Sequence, residues 1–61
     1  MKDLINIAVD AMGGDGSPKK IIDGIIHHNK SNKNIFYKIF GDEKKILNYI
    51  NNKLDKSFFQ I

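Results

Sequence analysis

The chain has 61 residues, a net charge of +3 with lysine as its only strong base, and no cysteine. That length allows one small domain at most, and a domain of this size buries only about 60% of the surface its unfolded chain exposes. Disulfides, Cys-based zinc sites and a thiol nucleophile are excluded. The lysines are spread along the chain and no arginine is present to read bases, so a nucleic-acid partner is not expected.

The N-terminus, Met1-Lys2-Asp3-Leu4, leads into an apolar run broken by Asn6 and Asp10, which fits no signal peptide. Nothing approaches the ~20 apolar residues of a membrane span, and the chain reads as soluble and cytoplasmic. Leu4 to Val9 predicts a buried strand with Ile5, Ile7 and Val9 on one face. A loop, Asp10-Ala11-Met12-Gly13-Gly14-Asp15-Gly16-Ser17, follows. Ser17 predicts a helix N-cap and Pro18 the first helical position, where no N–H is needed.

The first helix is expected from Pro18 to about Asn29, with Ile21, Ile22, Ile25 and Ile26 as its apolar stripe. Gly24 lies inside it at a cost of about 1 kcal/mol against alanine, which points to close packing of helix on strand. Asn29 to Asn34 reads as a polar loop and Ile35 to Phe40 as a second strand. Asp42 is placed to cap a second helix from Glu43 to about Lys53, with Ile46, Leu47, Ile50 and Leu54 buried and Tyr49 at the edge. After a turn at Asp55-Lys56, Ser57 to Ile61 predicts a third strand.

Strand–helix–strand–helix–strand implies parallel pairing by right-handed crossovers, with both helices on one side of the sheet. Parallel sheets are normally covered on both faces. The four phenylalanines read as core, yet Phe36, Phe40, Phe58 and Phe59 cannot all be covered by two helices on one side. The expected fold is therefore α/β: the βαβαβ opening of a larger parallel-sheet domain. The isolated chain is expected to fold poorly or to associate.

The glycine loop is the candidate site. Three glycines in four positions require positive φ, close approach of another group, or both. A helix start beside them offers unpaired N–H groups to an anion. Neither G-x-G-x-x-G nor G-x-x-x-x-G-K-[ST] is present. Lys19 and Lys20 lie where the helix macrodipole disfavours cations, a repulsion that a bound phosphate would offset; two solvated surface lysines are the simpler alternative. Asp15 reads as folding the turn through an Asx-type bond. Asp10 is the better chemical candidate, because ligands of open α/β sheets bind beyond the carboxyl ends of the strands. His27 and His28 do not share a helical face and read as imidazoles near a helix C-terminus; no metal site is expected.

Asp10-Ala11-Met12-Gly13-Gly14-Asp15-Gly16-Ser17-Pro18, directly after Ile7-Ala8-Val9, resembles the opening of the bacterial phosphate acyltransferases of phospholipid synthesis. Phe40-Gly41-Asp42-Glu43 is similar to that family's second-strand end. The chain departs from the family pattern at Gly16 and Ser17, where a larger and then a small residue often stand, and in length, since family members are several times longer. The resemblance implies that residues 1–61 are the N-terminal portion of a single acyltransferase domain with a Rossmann-like, three-layer architecture. It implies transfer of a fatty acyl group from acyl carrier protein to inorganic phosphate, giving acyl phosphate, with no cofactor. Gly13, Gly14, Asp15, Gly16 and Ser17 would face the phosphate, and Asp10 would orient it or take its proton. The full-length protein would be a cytoplasmic homodimer, peripherally associated with the inner face of the membrane. Two other readings stay open on the residues alone: a non-catalytic phosphate- or nucleotide-binding βαβ module, and an inactive truncated product.

Overall fold

The computed structural model describes residues 3–61; the start of the N-terminal reading, Met1-Lys2, lies outside them. Three strands alternate with two helices: β1 (Ile5–Asp10), α1 (Lys19–Ser31), β2 (Ile35–Phe40), α2 (Glu43–Ile50) and β3 (Phe59–Gln60), with a 3-10 turn at Lys56–Phe58 before β3. The strands form one sheet in the order β1-β2-β3, and both pairings are parallel. Ile5 pairs with Ile35 and Asp10 with Phe40, so both strands end level. The ladder runs one step further, because the Ala11 N–H donates to the Phe40 carbonyl (3.0 Å).

Alternation along β2 sets the two faces. Ile35, Tyr37 and Ile39 are buried, whereas Phe36, Lys38 and Phe40 point the other way. The buried set joins Ile22 and Ile25 of α1, Ile46 and Ile50 of α2, and Leu54 and Ala11 in one core. The helices also contact each other, so both cover the same face, as expected from the order of elements. Full burial of side chains such as Ile22, Ile39 and Ile46 stabilises by about 1.5–3 kcal/mol each.

The opposite face carries no helix among the described residues. Phe40 is 60% exposed, and Phe36, Phe58 and Phe59 are only half-buried. The reading of all four phenylalanines as core is therefore corrected in part: Phe36 and Phe40 take strand positions that look away from the helices, whereas Phe58 and Phe59 pack, half-buried, against the core. The first strand is also not buried. Although Ile5 and Ile7 share the helix-bearing face, they are 56% and 38% exposed, because β1 is the edge strand and α1 leans over β2.

Element ends differ from expectation in ways that local chemistry explains. Pro18, not Ser17, occupies the N-cap position of α1, and the helix runs on to Ser31. Asn29 is thereby a buried helical residue, its Oδ1 accepting from Lys33 Nζ (2.8 Å). The second helix stops at Ile50, where Asn51 and Asn52 take left-handed conformations (φ 41° and 64°), a geometry that asparagine tolerates. Leu54 consequently reaches the core from the turn, not from the helix, and Leu47 is 46% exposed. The third strand is shorter than expected because Asp55 accepts from the Ser57 N–H (2.8 Å) and caps the 3-10 turn. The Ser57 hydroxyl first and that N–H bond second, with a smaller contribution from Lys33, hold the Asp55 carboxyl below its ordinary value.

Candidate functional site

The loop between β1 and α1 stands at the carboxyl ends of β1 and β2, fixed at its base by Ala11, which is fully buried. Gly14 and Gly16 have φ of +84° and +81°, a conformation that an L side chain strains to adopt. Ser17 donates through Oγ to the Gly13 carbonyl, closing the loop on itself instead of capping α1, which has no side-chain cap.

The Asx-type bond belongs to Asp10 and not to Asp15. Asp10 Oδ1 accepts from the Met12 N–H (2.9 Å). Its other oxygen lies beside Gly13, 3.5 Å from where a Cβ there would stand. Asp10 thus shapes the loop with one oxygen and has the other beside Gly13. Asp15 is exposed and makes no side-chain hydrogen bond among the described residues.

The main chain supplies the site's donors. Among the described residues, no acceptor takes the N–H of Gly14, Asp15 or Gly16. These successive donors precede a helix N-terminus, where the macrodipole adds partial positive charge. Backbone N–H groups left free in this way form a concavity suited to an anion. The structure thus brings Asp10, Gly13, Gly14, Asp15, Gly16 and Ser17 together in one loop.

The two lysines separate. Lys19 pairs with Asp23 one turn along the helix surface (2.8 Å), a contact that raises its pKa. Lys20 has no ion pair among the described residues and lies with Gly13, Gly14, Asp15 and Ser17 along a groove of about 600 Å³. Sequence spacing did not distinguish them; the signal was Asp23, four residues after Lys19, which marks Lys19 as the partnered one.

Beyond Lys20 the groove follows α1 past Ile21, Gly24 and Ile25 to His28 and Tyr37. Gly24 does not serve close packing: a Cβ built there meets nothing within 4 Å. His28, read from sequence as an imidazole near a helix C-terminus, lies in the last turn of α1 and also bonds through Nδ1 to Tyr37 Oη (2.6 Å), with the rings edge to face at 6.0 Å. In the tautomer protonated on Nε2, Tyr37 is the donor. Burial pushes the Tyr37 phenol above its ordinary pKa of 10.0, so it stays neutral near pH 7.

At the end of β2, Gly41 meets the loop from below. A Cβ on Gly41 would stand 2.7 Å from Met12 Cγ and 2.9 Å from its Sδ. The two sequence segments singled out for their resemblance therefore touch: Met12 of the first lies over Gly41 of the second. Among the described residues no cluster of His, Cys, Asp or Glu could hold a metal ion. No helix is long and apolar enough to cross a membrane.

Residues 5–61 match the family model described as "Fatty acid synthesis protein". Over its whole length the chain is 69% identical to a phosphate acyltransferase of Pelagibacter ubique, of which it covers 18%. It is 48% identical over 44 residues to one of Streptococcus thermophilus, covering 72% of the chain and 13% of that protein. A phosphate acyltransferase of Listeria welshimeri is 47% identical over 49 residues, 80% of the chain and 14% of the relative. The chain thus spans less than a fifth of the length of these relatives. No solved structure matches it significantly. With 57 of its 61 residues inside the family model, the chain belongs to the fatty acid synthesis protein family, to which relatives named phosphate acyltransferase are similar along this same stretch.

Proposed function

We propose that residues 1–61 form the N-terminal portion of a single phosphate acyltransferase domain, and that their glycine loop binds the phosphate to which a fatty acyl group is transferred. The observation that carries this reading is the run of free N–H groups from Gly14 to Gly16 at the mouth of β1, with Lys20 beside it. A phosphate oxygen attacks the carbonyl carbon of the thioester borne by acyl carrier protein. The new C–O bond forms as the C–S bond breaks, the carrier leaves as thiolate and is protonated, and acyl phosphate results. Phosphate is itself the nucleophile, so the absence of cysteine costs the reaction nothing. The loop positions the anion, and a backbone N–H not occupied by phosphate stabilises the developing oxyanion. Asp10, through the oxygen that does not hold Met12, orients the phosphate or takes its proton. One loop does not supply both sides of the transferred group, so the isolated chain is inactive. The full-length protein acts as a cytoplasmic homodimer, peripheral at the membrane.

The test is Asp10→Asn in the full-length Pelagibacter ubique relative carrying these 61 residues in place of its matched stretch. Asparagine can still accept from Met12 and keep the turn, but it cannot take a proton. Acyl phosphate formation, followed by trapping with hydroxylamine, should fall by about 100-fold or more while the melting temperature holds. Unchanged turnover would restrict Asp10 to shaping the loop. A parent chimera that forms no acyl phosphate would sink the assigned reaction.

A further inference from the structure

We propose that the groove along α1 is the track for the acyl chain, with the reacting carbonyl at the glycine loop and the tail running past Gly24 toward the His28–Tyr37 pair. This rests on the acyl-transfer reading above and adds where the chain lies.

Three observations carry it. The first is the glycine at position 24. Glycine inside a helix costs about 1 kcal/mol against alanine, so it calls for a reason. Positive φ is not the reason, since Gly24 is helical and absent from the residues with positive φ. Packing against another described residue is not the reason either, since among the described residues an added Cβ would touch nothing within 4 Å. What a side chain there would do is project into the groove, which Gly24 lines. The glycine keeps the track open.

The second is the arrangement of chemistry along the groove. One end has the free N–H groups of Gly14 and Asp15 together with Lys20, and also the carboxylate of Asp15. The middle is apolar, lined by Ile21 and Ile25. Ile21 is only half-buried, although its neighbour Ile22 is fully buried. An anion-binding head followed by an apolar run matches an acyl phosphate, whose charge is all at one end. The match sets the direction of the chain as well as its place.

The third is size. Nine positions along α1 separate Lys19 from His28, about 14 Å at 1.5 Å per residue. The groove volume of about 600 Å³ falls within the range of sites that bury small ligands, about 300–1,000 Å³. Toward the C-terminal end of α1 the groove is lined by the exposed His28 imidazole and the buried Tyr37, joined by a hydrogen bond.

The experiment uses the same full-length chimera with Gly24→Leu and Gly24→Ala, and acyl carrier protein loaded with either a palmitoyl or a butyryl group. The ratio of kcat/KM for the long donor to that for the short one should fall about tenfold or more in Gly24→Leu. The KM for phosphate should hold. Gly24→Ala favours the helix, so it should melt no lower than the parent and still show a smaller fall in the ratio, which separates an effect on the track from a folding defect. Binding of palmitoyl phosphonate, read by its protection of the chimera against heat, should weaken in Gly24→Leu whether or not the chimera turns over. That arm distinguishes the two readings: a parent that makes no acyl phosphate yet binds the phosphonate, and loses it in Gly24→Leu, keeps the track and loses the reaction. An unchanged donor ratio, or equal phosphonate binding by parent and Gly24→Leu, overturns the track and leaves the groove as a seat for another part of the full-length chain.

Discussion

Two strand-to-helix turns stand side by side at the carboxyl ends of β1 and β2, and they handle the same physical problem in opposite ways. Every helix begins with N–H groups that have no partner in the helix. After β2 the turn is short: Gly41, then Asp42, whose side chain accepts from the Lys45 N–H (3.2 Å), with Glu43 adding an acidic charge in the first turn. After β1 the chain spends eight residues between the strand and the start of α1, has no side-chain cap and places no acid in the first turn. Its one serine bonds back to Gly13. A capped helix start has satisfied its donors and offers little to a ligand. An uncapped one with a run of free N–H groups retains them for something from outside. The difference is what favours the first turn as the place of the proposed anion site.

The largest expected effect breaks the comparison at its open side. In the full-length chimera, Gly14→Val should reduce acyl phosphate formation by about 100- to 1,000-fold, the cost of losing a backbone oxyanion donor in well-studied enzymes. The Gly14 backbone has φ +84° and nothing within 4 Å of an added Cβ. Strain, not collision, therefore moves the loop, and the bulk of valine then stands beside the N–H groups. Initial rate against phosphate concentration, measured beside the melting temperature, gives the answer. A variant that melts lower but keeps its phosphate kinetics would make the loop architecture only.

Gly41→Ala should have a smaller effect that couples the two turns. The new Cβ would come within 2.7 Å of Met12 Cγ and 3.0 Å of Ile46 Cδ1, closer than real contacts allow, and the residue has φ +157°. Met12 is the flexible partner and must swing away. Its backbone N–H is the one held by Asp10, so the loop shifts with it. Overpacking of this kind costs about 1–3 kcal/mol. The denaturant midpoint should fall and the KM for phosphate should rise together. A fall in stability with unchanged KM would show that Met12 moves independently of the loop.

These contacts also mark what could be read without a structure. The parallel βαβαβ order, the Asp42 cap and the place of the glycine loop were legible, because each depends on residues close in sequence: turn formers, apolar periodicity and a capping acid. The readings that failed depend on what lies across space. Ser17 and Pro18 have the sequence of an N-cap and first helical residue, yet Ser17 found a carbonyl four residues back and Pro18 took the cap position. Phe40 is as apolar as Ile39, but alternation puts it on the face that no helix covers. Gly24 reads as a packing glycine because glycine inside a helix is costly; only the built Cβ shows the open space beside it among the described residues. The meeting of Met12 with Gly41 joins positions 29 residues apart, beyond the reach of any local pattern.

The smallest effect tests the closed side. Asp42→Ala removes the acceptor for the Lys45 N–H and should cost about 1 kcal/mol, the usual value for an N-cap acid. The Asp42 carbonyl still accepts from the Ile46 N–H (3.0 Å), so the first helical bond survives and α2 should shorten at its start without unravelling. Ile46 is fully buried and anchors the helix from the second position of that bond. The denaturant midpoint should drop modestly, and the KM for phosphate and the maximal rate should stay at parent values, because the donors released at α2 belong to a different turn from those that hold the anion. A rise in phosphate KM as large as that of Gly41→Ala would mean that the capped turn also shapes the anion site, and the contrast between the two turns would then be one of degree and not of role.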